Sequence, residues 1–187
     1  MPAGMLPART GRGLGLLTAT LAVALAVAYA MVAAPDAQAA CRGASVPAVR
    51  AMGPSAPVTF CLVNRERRRH GLRALSPRRS LSNAALGKGR DMIARRYFAH
   101  RSPDGTGIAD RILQAGLRGG SIFGENLAWA TGRRSSPAGI VRAWMRSPSH
   151  RAAILDRRFR TGGLAVVRGA PVRHRGRAAT FVLELAG

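Results

Sequence analysis

Phe123-Gly124-Glu125-Asn126-Leu127-Ala128-Trp129-Ala130 is a strand candidate. After a short Arg-rich turn comes Ser136-Pro137-Ala138-Gly139-Ile140-Val141-Arg142-Ala143-Trp144-Met145, a helix with Ser136 as N-cap and Pro137 at its first position. Everything upstream reads as helix or loop. Val58 to His70 is helical, with Val58, Cys61 and Leu62 on one face and Gly71 as its stop. Ser80 caps a second helix whose apolar side runs Leu81, Ala84, Ala85, Met92 and Ile93, then Tyr97 and Phe98. Pro103-Asp104-Gly105 is a turn, and Ile108, Ile112 and Ala115 mark a short third helix ended by Gly116. Downstream, Ser147-Pro148 opens a short helix through Leu155. Two apolar strands follow, Gly163 to Val167 and Ala179 to Leu185, joined by a loop holding Arg168, Arg173, Arg175 and Arg177. Helices early and strands late exclude βαβ repetition and predict an α+β fold with a small antiparallel sheet.

The N-terminal residues set the compartment. Arg9 and Arg12 precede the uncharged stretch Leu14 to Val32, and Ala37-x-Ala39 follows, which together describe an export signal over residues 1–39. A retained membrane anchor is the competing reading, because Leu14 to Val32 is just long enough to span a bilayer; the small-residue cleavage site favours removal. Gln38 stands where a lipid-attachment motif wants an aliphatic residue, which argues against lipidation of Cys41. Residues 40–57, rich in Pro, Gly, Ala and Ser, read as an irregular lead-in to a domain over 58–187. Once exported, Cys41 and Cys61 most simply pair with each other, since neither a C-x-x-C motif nor an activating base is present.

The 187 residues carry 30 Lys+Arg against 8 Asp+Glu, a net +22, but 47% are hydrophobic, enough to exclude a disordered polyelectrolyte. Lys88 is the one lysine, so the charge is arginine. Arg65 to Arg69 holds four arginines in five residues, and Arg157, Arg158 and Arg160 form a second cluster. Aromatics at 5% and the lack of a recognisable module speak against specific nucleic-acid binding. Anionic cell-envelope polymers or a phospholipid surface are the expected encounters for an exported basic protein, against the alternative of a merely solvated face.

Three polar residues stand out by position. His100 follows the apolar end of the second helix, Glu125 interrupts an apolar strand, and His150 opens the short helix after Ser147-Pro148. A carboxylate inside an apolar strand needs a buried partner, and histidine supplies one while also suiting metal ligation or proton transfer near neutral pH. No H-E-x-x-H or G-x-S-x-G motif is present, and Ser147 and Ser149 are explained by helix capping.

The series Leu62-Val63-Asn64-x-Glu66-Arg67, Asp91-Met92, Tyr97-Phe98-Ala99-His100-x-Ser102-Pro103-Asp104-Gly105, Asp110-Arg111-Ile112, Gly124-Glu125-Asn126-Leu127 and Trp144-Met145-x-Ser147-Pro148-Ser149-His150-Arg151 resembles the bacterial branch of the CAP superfamily (cysteine-rich secretory proteins, antigen 5, pathogenesis-related 1), also called SCP-like domains. The resemblance runs from about Phe60 to Leu185. It implies an α-β-α sandwich with a small central antiparallel sheet and a surface cleft holding two His and two acidic residues, the histidines in several members binding a divalent metal, often zinc. His100, Glu125 and His150 match three of those places, and the fourth acid falls on Ser147. Ser149 and Ala153 depart from the usual Gly and Asn, and Gly87-Lys88-Gly89 stands where the bacterial branch often has another His. The implied function is an extracellular binding or interaction module with a metal-capable cleft, zinc on His100 and His150 being the expected metal. The alternatives are a metal-assisted hydrolase of peptides or cell envelope with Glu125 as base, and a carrier of a small lipid or peptide ligand.

Overall fold

The structure is a computed structural model that describes residues 41–120 and 122–187; the export signal read over residues 1–39 lies outside them. Its elements in chain order are α1 (Met52–Arg69), β1 (Ser76–Pro77), α2 (Arg79–Arg95), α3 (Ile108–Gln114), β2 (Phe123–Thr131), α4 (Pro137–Arg146), α5 (Pro148–Leu155), β3 (Thr161–Arg168) and β4 (Ala178–Ala186). A single 3-10 turn, Gly132–Ser135, links β2 to α4. The sheet order is β1-β3-β4-β2, with β3 and β2 both antiparallel to β4 and a two-residue parallel pairing of β1 with β3. Among the described residues no helix is long and apolar enough to cross a membrane.

β4 is central and all nine of its residues are buried, so its alternation builds both cores. Phe181, Leu183 and Leu185 face the layer of α1, α4 and α5, packing with Leu62, Trp144 and Ile154. Val182 faces Ala85 and Met92 of α2 on the other side, and Ala186 meets Leu81 and Ile112. Burying each of the larger side chains contributes about 1.5–3 kcal/mol relative to leaving it in water. This is the α-β-α sandwich that the resemblance implied. Helix α2 lies flush on the sheet because two glycines leave room: a Cβ on Gly163 would sit 2.2 Å from the Ser82 backbone nitrogen, and one on Gly89 would sit 2.7 Å from Val167.

Three boundaries differ from the sequence reading. Helix α1 starts at Met52 and not at Val58, taking in Pro54, whose missing N–H falls in the unbonded first turn, and also Pro57. The Ser55 and Thr59 hydroxyls donate to the carbonyls of Ala51 and Ser55, respectively, at 2.6 and 2.7 Å. Helix α2 begins at Arg79 without a side-chain cap at Ser80; β1 pairing sets its start, with the Arg78 N–H donating to the Gly162 carbonyl at 2.9 Å. It ends at Arg95, where Arg96 turns left-handed (φ 56°), so Tyr97 and Phe98 belong to the following loop.

Residues 41–51 of the lead-in are irregular but tied down, while 52–57 belong to α1. Cys41 and Cys61 are joined, with their Cα atoms 5.7 Å apart. Ala48 donates to the Ser135 carbonyl at 3.0 Å, and Arg177 to the Val49 carbonyl at 2.7 Å. Because the bridge closes a 20-residue separation, replacing both cysteines by serine should lower unfolding free energy by about 3 kcal/mol, read from urea denaturation. An unchanged midpoint would show that the hydrogen bonds alone hold the lead-in.

Candidate functional site

Glu125 organises the site. It lies on β2 directly opposite Glu184 of β4, so both side chains enter the layer beneath α2 and α3. The Glu125 side chain has no exposed surface, and each oxygen has a cationic or imidazole partner: Oε2 accepts from Arg111 Nη2 at 2.6 Å and Oε1 from His100 Nδ1 at 2.7 Å. A carboxylate accepts only, so this bond fixes the proton on His100 Nδ1 and leaves Nε2 with its lone pair. His100 itself is open to solvent, its side chain 56% exposed.

The backbone beneath the ring is equally constrained. Arg111 Nη1 and Lys88 Nζ each donate to the His100 carbonyl at 3.0 Å. Lys88 is fully buried and also donates to the Tyr97 hydroxyl at 3.1 Å. Burial first, and the Arg111 charge second, pull the Lys88 ammonium down to about 8. The Tyr97 hydroxyl in turn donates to Asp91, which Ser102 reaches at 3.2 Å and Arg95 at 2.6 Å. Burial pushes the Asp91 carboxyl up, but hydrogen bonds from Arg95 and Tyr97 outweigh it and hold the group below its usual range. Thus the Asp91, Tyr97 and Ser102 positions of the sequence motif brace the loop that presents His100.

His150 comes from the opposite layer, on α5. Its Nδ1 pairs with Ser147 Oγ at 2.8 Å. Ser147 stands at the N-cap of α5, but its hydroxyl serves this ring and makes no cap bond. The next residue along β2, Asn126, points away from Glu125 and donates to the His150 carbonyl at 3.0 Å. Two consecutive residues of one edge strand therefore hold the two histidines from opposite faces of the sheet. Burial first, then the neighbouring His100, lower the proton affinity of His150.

Arg111, Glu184, Lys88 and Asn126 complete the site; the sequence reading quoted Arg111, Lys88 and Asn126 but assigned none of the four to the site. Glu184 interrupts an apolar strand just as Glu125 does. Arg111 falls on the apolar face of α3 between Ile108 and Ile112, and Lys88 sits in register with Ala84 and Met92. Neither Glu184 oxygen has a hydrogen-bond partner among the described residues; Arg111 Nη2 stands 3.7 Å from Oε1. Burial, then the Glu125 charge, raise its carboxyl well above the ordinary range, so the proton of the pair resides on Glu184.

This asymmetry predicts opposite responses to one substitution. Glu125→Gln leaves the Arg111 charge buried without its partner and should cost about 3–5 kcal/mol in urea unfolding at pH 7.5. Glu184→Gln removes a group whose folded-state value is raised, and whose stabilising share is therefore lost as pH rises above its unfolded value. The variant should gain on wild type between pH 5 and pH 8. Equal losses in both variants would contradict the assignment.

The family profile described as the Cysteine-rich secretory protein family (CAP) matches residues 60–184. The uncharacterized protein YkwD of Bacillus subtilis (strain 168) is 33% identical over 111 residues, 59% of this chain and 42% of its own length. An extracellular protein containing a SCP domain from Bacillus anthracis str. Ames superposes with a TM-score of 0.60 at 25% identity, over 71% of this chain and 40% of that one. An outer surface protein of Borrelia burgdorferi shares the fold at a TM-score of 0.57 and 19% identity, over 69% of this chain and 89% of that one. The chain thus spans less than half of YkwD and of the Bacillus anthracis protein.

Proposed function

The chain belongs to the cysteine-rich secretory protein (CAP) family, and from that premise we propose that it is an exported binding module whose ligand is met by His100 and His150. The observation that carries the reading is the pairing of a solvent-open imidazole with a fully buried carboxylate, His100 with Glu125 at 2.7 Å. A buried, ion-paired carboxylate is costly to keep unless it positions something, and here it points the His100 lone pair outward. Export is supported by the signal read in residues 1–39, by the Cys41–Cys61 bridge, and by similarity to proteins described as extracellular or outer-surface.

The donor set suits a borderline-soft divalent cation. Both Nδ1 atoms are engaged, His100 by a carboxylate and His150 by a hydroxyl, which leaves both Nε2 atoms for ligation. Imidazole nitrogens favour Zn²⁺ over Mg²⁺ or Ca²⁺. Among the described residues no group of three or more His, Cys, Asp and Glu is placed to hold a metal, so the ligand would complete the coordination. Zinc there would supply a Lewis acid with open positions. Glu125 orients His100 and has no exposed surface to reach water, so its part is positioning and not proton abstraction from a substrate.

Calorimetric zinc titration tests this. Wild type should bind at pH 7.5, His100→Ala and His150→Ala should each weaken binding by about tenfold or more, and Glu125→Gln by about tenfold through lost orientation. Binding should weaken as pH falls and imidazole protonates, because ligation needs the neutral ring. Absence of zinc binding at pH 7.5, or wild-type affinity in both histidine variants, would overturn the metal reading. Chelator-sensitive turnover on peptide or peptidoglycan panels would instead establish the hydrolase.

A further inference from the structure

Of the arginine clusters conspicuous in the sequence, Arg67 is spent inside the structure and others pair at its surface. Arg67 is buried and donates to the carbonyls of Arg73, Ile154, Asp156 and Phe159 at 2.6–3.0 Å. Arg69 pairs with Glu66, Arg95 with Asp91 and Asp104, Arg111 with Glu125, and Arg158 with Asp156. Unpaired arginines also gather in two recesses. One recess of about 670 Å³, between the end of α2 and the β3–β4 loop, is lined by Arg96, Arg173, His174 and Arg175. A second, of about 470 Å³ between β2 and α4, is lined by Trp129, Arg133, Arg134, Arg142 and Arg146. The Trp129 and His174 rings, with centroids 5.5 Å apart, join the two. No carboxylate lines either recess, and none of these seven arginines makes an ion pair among the described residues.

We propose that this belt is the docking surface for an acidic polysaccharide, a chain of sugar rings carrying regularly spaced carboxylate or phosphate groups. Guanidinium forks pair bidentately with either anion, and a row without carboxylates has nothing to repel it. The half-buried Trp129 between the two recesses offers one flat apolar face against which a sugar ring can lie. Two joined recesses suit a chain better than a flat bilayer. Of the exposed large apolar residues Val46, Phe98, Leu113 and Val172, Val172 alone belongs to the belt, which is too little for membrane insertion. Single-stranded nucleic acid calls for successive stacking aromatics, and the belt has Trp129 and His174 only. The surface is separate from the His100–His150 site and stands whether or not that site binds metal.

The test uses the mature, disulfide-bonded protein with polygalacturonate as probe, neutral dextran as blank, and an oligonucleotide and anionic vesicles as competitors. Trp129 fluorescence reports engagement, because the other tryptophan, Trp144, is buried in the core. Polygalacturonate should perturb that fluorescence and bind more weakly as salt rises. Arg133→Ser/Arg134→Ser/Arg173→Ser/Arg175→Ser should weaken binding by about tenfold or more and flatten its salt dependence, as lost anion contacts do. Arg68→Ser/Arg90→Ser/Arg118→Ser/Arg157→Ser removes the same charge from exposed positions outside the belt and should change affinity by less than about threefold. Equal weakening in both quadruple variants would show delocalised charge and overturn the proposal. So would tighter binding of the oligonucleotide or vesicles than of polygalacturonate, or a response to dextran.

Discussion

The ion pair between Glu125 and Arg111, closed at 2.6 Å with both side chains buried or nearly so, is the constraint on which the rest depends. It joins the edge strand β2 to the short helix α3, and through the second Glu125 oxygen it reaches His100. Arg111 also holds the His100 carbonyl, so ring and backbone answer to one guanidinium. A pair of this kind adds little net stability against an apolar replacement, yet breaking it strands a buried charge. What it contributes is geometry. An exposed histidine that would otherwise sample several rotamers is given one direction and one tautomer.

Around that pair the buried polar groups share one layer, in which Glu125 and Lys88 are hydrogen-bonded and Glu184 is neutral. Glu184 takes the proton because Glu125 already carries the charge and the partners. Lys88 occupies the helix-side wall, where Tyr97 and the His100 carbonyl accept its protons. Gly89 and Gly163 allow α2 to lie close enough to the sheet to keep this layer closed. The polar cluster and the tight packing are thus one arrangement, and the loop bearing His100 is its exposed end.

Much of this was legible in the residues because it rests on local chemistry. Ser136-Pro137 announced α4, where Ser136 Oγ accepts from the Gly139 N–H, and Gly116 ended α3 with φ +86°. Glu125 betrayed itself as a carboxylate in an apolar strand. The parts that escaped are those set by distant partners. The start of α2 depends on pairing with Gly162, and the two-residue β1 exists only beside β3. Arg67 sat in a run that reads as a solvated basic face, yet it satisfies three carbonyls around the α5–β3 turn and that of Arg73 after α1. Glu184 interrupts an apolar strand as Glu125 does, but its place opposite Glu125 becomes visible only with the register in hand.

The tautomer of His100 tests the role of Glu125 most directly. Long-range ¹H–¹⁵N spectra of the neutral imidazole distinguish the two nitrogens. In wild type, Nδ1 should carry the proton and Nε2 should show the shift of a bare lone pair; in Glu125→Gln that preference should relax. A wild-type ring protonated on Nε2, or a tautomer ratio unmoved by Glu125→Gln, would contradict a site organised by the buried carboxylate.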